Sequence, residues 1–280
     1  MKIFDLHTDL LTEVSARKHY KISKNSIAHG LSGSCYAVFT TGLSPAQVFE
    51  HSNNFCALKN KFEAEGSAFD LKLSYEDLDF VNETNIHSLL LTNPVMCGLT
   101  WNFDNKMAGG ALGQNGLSAV GAKIVSILEE FKVFVDCAHL NEKSFMDVAK
   151  QAKRPIVCSH TCFAELCNNP RNVHDYQIRI IKESGGIVGL SAVGQFLSPT
   201  KRATVDDFIA HILHYVNTFG TTDGLAIGTD FFGTKNLPKN FRNYGAFAYV
   251  EKTLIDLGFL EEEIENIFFN NAAALLNQPH

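Results

Sequence analysis

A single (β/α)8 barrel of the TIM type is the fold this sequence predicts, on three observations. Short runs rich in Val, Ile, Leu and Phe recur along the chain, each ending in a polar residue and most followed by a stretch of helical period, the pattern of buried parallel strands alternating with helices. Eight such runs can be counted, the number that a closed barrel needs. The length of 280 residues matches the usual size of about 250. No Pro/Gly/Ser-rich linker, charge run or internal repeat divides the chain, so residues 1–280 are read as one domain.

Taken in order, the expected strands are Lys2–His7, Ser34–Thr40, His87–Thr92, Met96–Trp101, Lys132–His139, Pro155–His160, Gly186–Val193 and Leu225–Asp230. The expected helices are Ser44–Glu65, Leu117–Phe131, Glu142–Lys153, Asp175–Ser184 and Thr204–Phe219, with a closing helical region over Tyr244–Leu276. Their starts agree with capping chemistry. Ser44-Pro45 places proline at a first helical position, and Asn141, Asp175 and Thr204 can each accept a bond from a free amide. One connection breaks the pattern: only Asn93-Pro94-Val95 separates Thr92 from Met96, whereas a parallel crossover needs a dozen or more residues. Either one of those two strands is misplaced, or the barrel has lost a helix and is distorted between its third and fourth strands.

Composition narrows the function. With 30 acidic and 24 basic residues the net charge is −6, and no Lys/Arg block could grip a phosphate backbone, so nucleic acid is not an expected partner. No apolar run approaches the ~20 residues of a membrane span. The start, Met1-Lys2-Ile3-Phe4-Asp5, turns acidic before the apolar stretch of a secretory signal could form. Seven cysteines, an odd number without a disulfide-scaffold spacing, fit reduced thiols and a cytoplasmic location.

Four strand ends finish in residue types that bind metal. Asp5-Leu6-His7-Thr8-Asp9 sets His7 and Asp9 two apart on one face of a strand end. Cys137-Ala138-His139 ends the fifth strand, Cys158-Ser159-His160 the sixth and Gly228-Thr229-Asp230 the eighth. C-terminal strand ends of a barrel share one rim, so these groups converge, and a set of imidazoles and carboxylates suits Zn²⁺ or a similar divalent ion. The thiols of the two Cys-x-His pairs, with Cys162 and Cys167 nearby, could form a structural zinc site. Their place two residues before each histidine favours small buried residues one layer deeper instead. Arg171 follows the His160 loop and could hold a carboxylate by a bidentate pair. The glycines at 109, 110, 113 and 116 lie in a long loop and do not form a phosphate cradle, and His211 and His214 read as ordinary helix residues.

These blocks resemble the membrane (renal) dipeptidase family, zinc peptidases of the amidohydrolase superfamily, and especially its bacterial members. The resemblance runs through DLHTD near the start, GLTWN at 98–102, VDCAHLNEKSFMDV at 135–148, PIVCSHTCFAELC at 155–167, PRNVHD at 170–175, GGIVGLSAV at 185–193 and GLAIGTDFFG at 224–233. It implies that His7 and Asp9 are first-strand ligands and that His139 and His160 belong to a second metal. It also implies that Asp230 is both ligand and proton carrier, that Arg171 binds the dipeptide's C-terminal carboxylate, and that Trp101 and Asn102 face the substrate. The implied reaction is hydrolysis of a dipeptide by metal-bound hydroxide, since zinc brings the pKa of a bound water to near neutrality, with Asp230 as general acid/base. Hydrolysis of another small amide, such as an N-acyl amino acid, and a degenerate barrel that binds a small ligand without turnover are the competing expectations. A homodimer is compatible with the sequence.

The sequence departs from the family at one point. The family's third strand ends in a glutamate bridging two zinc ions, followed by a helix. Here the corresponding strand is read as His87–Thr92, with Asn93 near the place of the glutamate and no helix after it. Glu83, the nearest upstream carboxylate, precedes the strand and is not assigned the role, though it or a water network would be the replacement if two ions were held. Zn²⁺ is therefore expected as one ion rather than two, with reduced activity.

Overall fold

The computed structural model describes residues 1–9, 29–200 and 202–277. Eight strands form a closed barrel in chain order: β1 (Ile3–Thr8), β2 (Leu31–Phe39), β3 (Asp70–Glu76), β4 (Met96–Gly98), β5 (Phe134–Asp136), β6 (Val157–Thr161), β7 (Ile187–Leu190) and β8 (Leu225–Ile227). All neighbours are parallel, and Asp5 opposite Ile227 closes the ring. Helices α1 (Pro45–Ala64), α2 (Ile86–Leu90), α3 (Ala119–Glu130), α4 (Glu142–Gln151), α5 (Asp175–Glu183), α6 (Gly194–Leu197) and α7 (Val205–Phe219) fill the connections from β2 to β8. The expected closing helix is broken into a 3-10 turn at Tyr244–Ala246, α8 (Phe247–Asp256), α9 (Glu261–Glu265), a π turn at Asn266–Asn270 and α10 (Asn271–Leu276). No helix of the described residues is long and apolar enough to cross a membrane.

The expected third strand is corrected. Leu71, Leu73 and Tyr75 alternate with Lys72 and Ser74 and are buried, so Asp70–Glu76 has the period of a strand and pairs along its length with β2. In the segment around His87–Thr92, Ile86 and Leu89 are buried three residues apart while Leu91 is 87% exposed, a one-sided pattern that only a helical turn satisfies. That segment is α2, the crossover between β3 and β4. Residues 77–95 give it ample length, and the barrel is not distorted there: Ser74 and Tyr75 pair with Met96 and Cys97.

Phe4, Leu6, Cys35, Met96, Phe134, Val157, Ile187 and Ala226 fill the barrel interior, joined by Leu275 and Leu276 of α10. Cys137 and Cys158 belong to the larger cluster that includes Val125, Phe145 and Ile178 of the helices. They pack between barrel and helices, not in an inner layer beneath the histidines. Most helix starts are capped as the sequence implies: the side chains of Ser44 and Asn141 accept from the amides of Gln47 and Ser144. At α5 the cap is His174, and Asp175 is the first helical residue.

Candidate metal centre

Glu76, His7, Asp9, His139 and His160 meet at the C-terminal strand ends, each less than a tenth exposed. Strict strand alternation delivers Glu76 but not His7 or His160. Register shifts fall between Asp5 and Thr8 in β1 and between Cys158 and Thr161 in β6, where such irregularities re-aim side chains. His139, Asp230 and Asp77, the residue after Glu76, have φ of 70°, 59° and 74°. Such left-handed conformations cost energy in non-glycine residues and cluster at functional sites. Gly233 is required by crowding: a Cβ there would stand 2.2 Å from Asp9 Oδ2 and 2.3 Å from Asp230 Oδ1.

The five groups fall into two triads that share one carboxylate, His7–Asp9–Glu76 and Glu76–His139–His160. Glu76 Oε1 is 2.7 Å from His139 Nε2, and its Oε2 is 3.4 Å from His7 Nε2. His7 Nε2 is also 3.4 Å from Asp9 Oδ2, and this buried nitrogen has no hydrogen-bond partner. His139 Nε2 and His160 Nε2 are 2.9 Å apart. The Nδ1 atoms of both rings face other acceptors, Asn102 Oδ1 at 2.9 Å and Ser159 Oγ at 2.8 Å. With protons on Nδ1, two nitrogen lone pairs point at each other, an arrangement that a cation between them would relieve. Ligand atoms about 2.0–2.2 Å from one ion sit roughly 3 Å apart, which is the spacing found. Burial and the neighbouring charges hold His160 well below its ordinary pKa, and burial with Arg171 brings His139 down to about 4. For these two rings the shift favours the neutral form that a metal ligand needs, whereas at His7 the Asp9 and Glu76 carboxylates outweigh burial and raise the pKa.

The remaining sequence candidates surround this cluster. Asp230 stands beside Asp9, and burial followed by the Asp9 charge pushes its carboxyl well above the usual range. With Arg171, Trp101, Asn102 and Phe196 it lines a cavity of about 390 Å³. Arg171 is buried, donates from Nη2 to the His160 carbonyl at 3.3 Å, stacks over Phe196 at 5.3 Å and leaves Nε without a partner. Trp101 packs edge-on against Phe39 at 5.4 Å. Asn102 is the surprise: its side-chain oxygen is engaged with His139. His211 and His214 lie apart from the cavity, His211 fully buried and His214 Nε2 2.8 Å from Asp175.

A profile of the membrane dipeptidase family, peptidase family M19, matches residues 66–278. The chain belongs to the membrane dipeptidase family. A Klebsiella pneumoniae protein encoded in the pqqA 5′ region is 31% identical over 186 residues, 62% of this chain and 68% of that protein. A Schizosaccharomyces pombe uncharacterized dipeptidase is 30% identical over 178 residues, 60% of this chain and 42% of its own. The Claviceps purpurea dipeptidase tcpJ is 27% identical over 165 residues, 59% and 39%. The match thus spans less than half of the two fungal relatives. Among solved structures, the metallopeptidase dipeptidase AC superposes with a TM-score of 0.87 at 19% identity, covering 99% of this chain and 98% of the other. A Rhodobacter sphaeroides metallopeptidase bound to a phosphinate mimic of L-Ala-D-Ala gives 0.86 at 18% identity, again covering 99% and 98%.

The expectation that this member of the membrane dipeptidase family lacks a glutamate at the end of its third strand, and the helix after it, is overturned. Glu76 ends β3 and α2 follows. The difference is one of strand placement: by apolar content the run Leu89-Leu90-Leu91 outweighs the alternation of Leu71, Leu73 and Tyr75, which ends on the carboxylate. Asn93 lies beyond α2, and Glu83 is exposed and pairs with Lys123. With Glu76 in place, the ground for expecting one ion and reduced activity is gone.

Proposed function

We propose that this protein is a metal-dependent dipeptidase whose centre holds two divalent ions, Zn²⁺ by its mixed imidazole and carboxylate ligands. His7, Asp9, Asp230 and Glu76 would hold the first ion, and Glu76, His139 and His160 the second. The observation that carries this reading is the division of the Glu76 carboxylate between the two triads, with unpartnered or opposed imidazole nitrogens on either side. When bound, such ions acidify a water to near neutrality and polarise a carbonyl oxygen.

The chain's own residues supply the rest. Arg171, with no carboxylate paired to it among the described residues, binds the C-terminal carboxylate of a dipeptide and fixes the scissile bond over the cluster. Asp230, which stands beside Asp9 and lines the cavity, takes a proton from the attacking water as a carboxylate and gives it to the leaving amine. Trp101, Phe39 and Phe196 wall the cavity and keep bulk water from the reacting atoms.

The test is metal analysis of purified protein, with assays on L,L- and L,D-dipeptides before and after chelation. About two ions per chain and activity that is lost on chelation and restored by Zn²⁺ are expected. Full activity in metal-free protein would refute the proposal.

A further inference from the structure

Two buried aspartates that belong to neither triad make the same set of bonds at two places on the rim. Asp136 Oδ1 accepts the amide of Ala138 at 3.0 Å and of Ser159 at 2.9 Å, and its Oδ2 accepts the Ser159 hydroxyl. Asp5 Oδ1 accepts the amides of His7 at 3.1 Å and Thr229 at 2.9 Å, and its Oδ2 accepts the Thr229 hydroxyl. Each aspartate takes the amide two residues ahead and clasps a Ser or Thr on the neighbouring strand. The next residue after that Ser or Thr is a site residue, His160 or Asp230.

The two clasps differ in their last partner. Asp5 Oδ2 also accepts from Tyr244 Oη at 2.7 Å, whereas Ser159 Oγ continues to His160 Nδ1 at 2.8 Å. Ser159 has one hydroxyl proton, and Asp136 takes it. Its oxygen can therefore only accept from His160, which places the ring proton on Nδ1 and leaves the Nε2 lone pair toward Glu76 and His139. The clasp is walled in: a Cβ on Gly189 or Gly228 would stand 1.9 or 1.8 Å from the Ser159 carbonyl oxygen. Asp136 also lies within ligand reach of His7 and His160, yet its oxygens already take three donors.

We infer that Asp136 and Ser159 are positioning residues that fix the tautomer of His160 and so make its Nε2 a metal ligand. The inference rests on the two-ion reading above, but the tautomer itself can be read without metal. In Asp136→Asn, the two amides hold the carboxamide oxygen in the Oδ1 place, so its NH2 faces Ser159. The NH2 then donates to Ser159, the hydroxyl turns to His160, and the ring proton is driven to Nε2. Ser159→Ala only removes the partner and leaves the tautomer free. Asp136→Asn should thus be the worse variant although it deletes no atom, and Asp136→Asn/Ser159→Ala should recover to the level of Ser159→Ala.

The experiment has two arms. Imidazole ¹⁵N resonances of the metal-free protein should show His160 as the Nδ1–H form in the wild type and the Nε2–H form in Asp136→Asn. Chelator competition with Co²⁺ or Zn²⁺ should show the weaker site losing about 10- to 100-fold in affinity in Ser159→Ala, about tenfold more in Asp136→Asn, and regaining that tenfold in the double variant. Asp5→Asn, which has no imidazole in its chain of bonds, should lower thermal stability without changing the His160 resonances. An Nε2–H ring in the metal-free wild type, or losses that simply add in the double variant, would overturn the relay. If Asp136→Asn does not fold, the wild-type and Ser159→Ala spectra still decide. A wild type with the Nδ1–H ring that binds no metal would instead refute the two-ion reading and leave the relay standing.

Discussion

Glu76→Gln tests the centre most directly, because its carboxylate is the one group common to both triads. The substitution keeps shape and an amide oxygen but removes a unit of negative charge from between His7 Nε2 at 3.4 Å and His139 Nε2 at 2.7 Å. At 4 Å and an effective dielectric of 20, two unit charges interact by about 4 kcal/mol, hence about 8 for a divalent ion. If only half of this survives ligand rearrangement, about 4 kcal/mol remains, a factor of about 10³ in affinity. The losses are unequal. The His7, Asp9 and Asp230 side retains two other carboxylates, whereas the His139 and His160 side is left with two neutral rings facing another cation. Metal analysis after dialysis against a weak chelator should fall from about two ions per chain to about one, with kcat reduced at least ~10²-fold. A variant that keeps two tightly held ions and wild-type turnover would show that Glu76 does not join the sites.

Three further outcomes are expected. Arg171→Ala should raise KM for free dipeptides by an amount worth about 1.5–3 kcal/mol and leave C-terminally amidated ones nearly unchanged; equal losses would remove Arg171 from carboxylate binding. Asp230→Asn should keep the fold by circular dichroism while turnover drops at least ~10²-fold, and unchanged turnover would refute its role as proton carrier. His211 is buried between the Phe163 amide, which donates to its Nδ1, and the Leu197 carbonyl, which accepts from its Nε2, and burial lowers its pKa from 6.5 to about 4. Its unfolded form takes up a proton first, so its stability contribution is complete above about pH 6.5 and is lost as pH falls towards 4. At pH 5 this amounts to about 2 kcal/mol, and His211→Gln, which can keep both bonds, should shed that part of the wild-type fall in Tm between pH 7.5 and 5; a parallel fall in both proteins would contradict it.

The sequence made the barrel legible because most of its strands are apolar runs closed by polar residues and its helices carry recognisable caps. His7, Asp9, His139, His160 and Asp230 were legible for a related reason: each closes or follows such a run at the rim. Glu76 was not. Its strand is half polar, with Lys72 and Ser74 between its apolar residues, and it competed with a Leu-rich run whose helical nature shows only in which residues are buried. The length of the crossover could have decided the matter, since a strand at Asp70–Glu76 restores a normal connection and one at His87–Thr92 leaves three residues.

Spacing could not carry the direction of the ligands. His7 and His160 sit beside register shifts, and His139 and Asp230 occupy left-handed backbone, so simple alternation would send some of these side chains elsewhere. The bonds around these residues join segments that are not neighbours in sequence: Asp5 to Thr229, Asp136 to Ser159 and Asn102 to His139. In the sequence these are ordinary polar residues next to better candidates. They become informative once closure brings the neighbouring strand beside each of them, because a buried carboxylate that takes three or four donors is held by its surroundings and can in turn hold the adjoining backbone. Backbone strain at the rim and the clasps beneath it are therefore two sides of one arrangement, in which the barrel's polar layer keeps the clustered imidazoles and carboxylates aimed at one another.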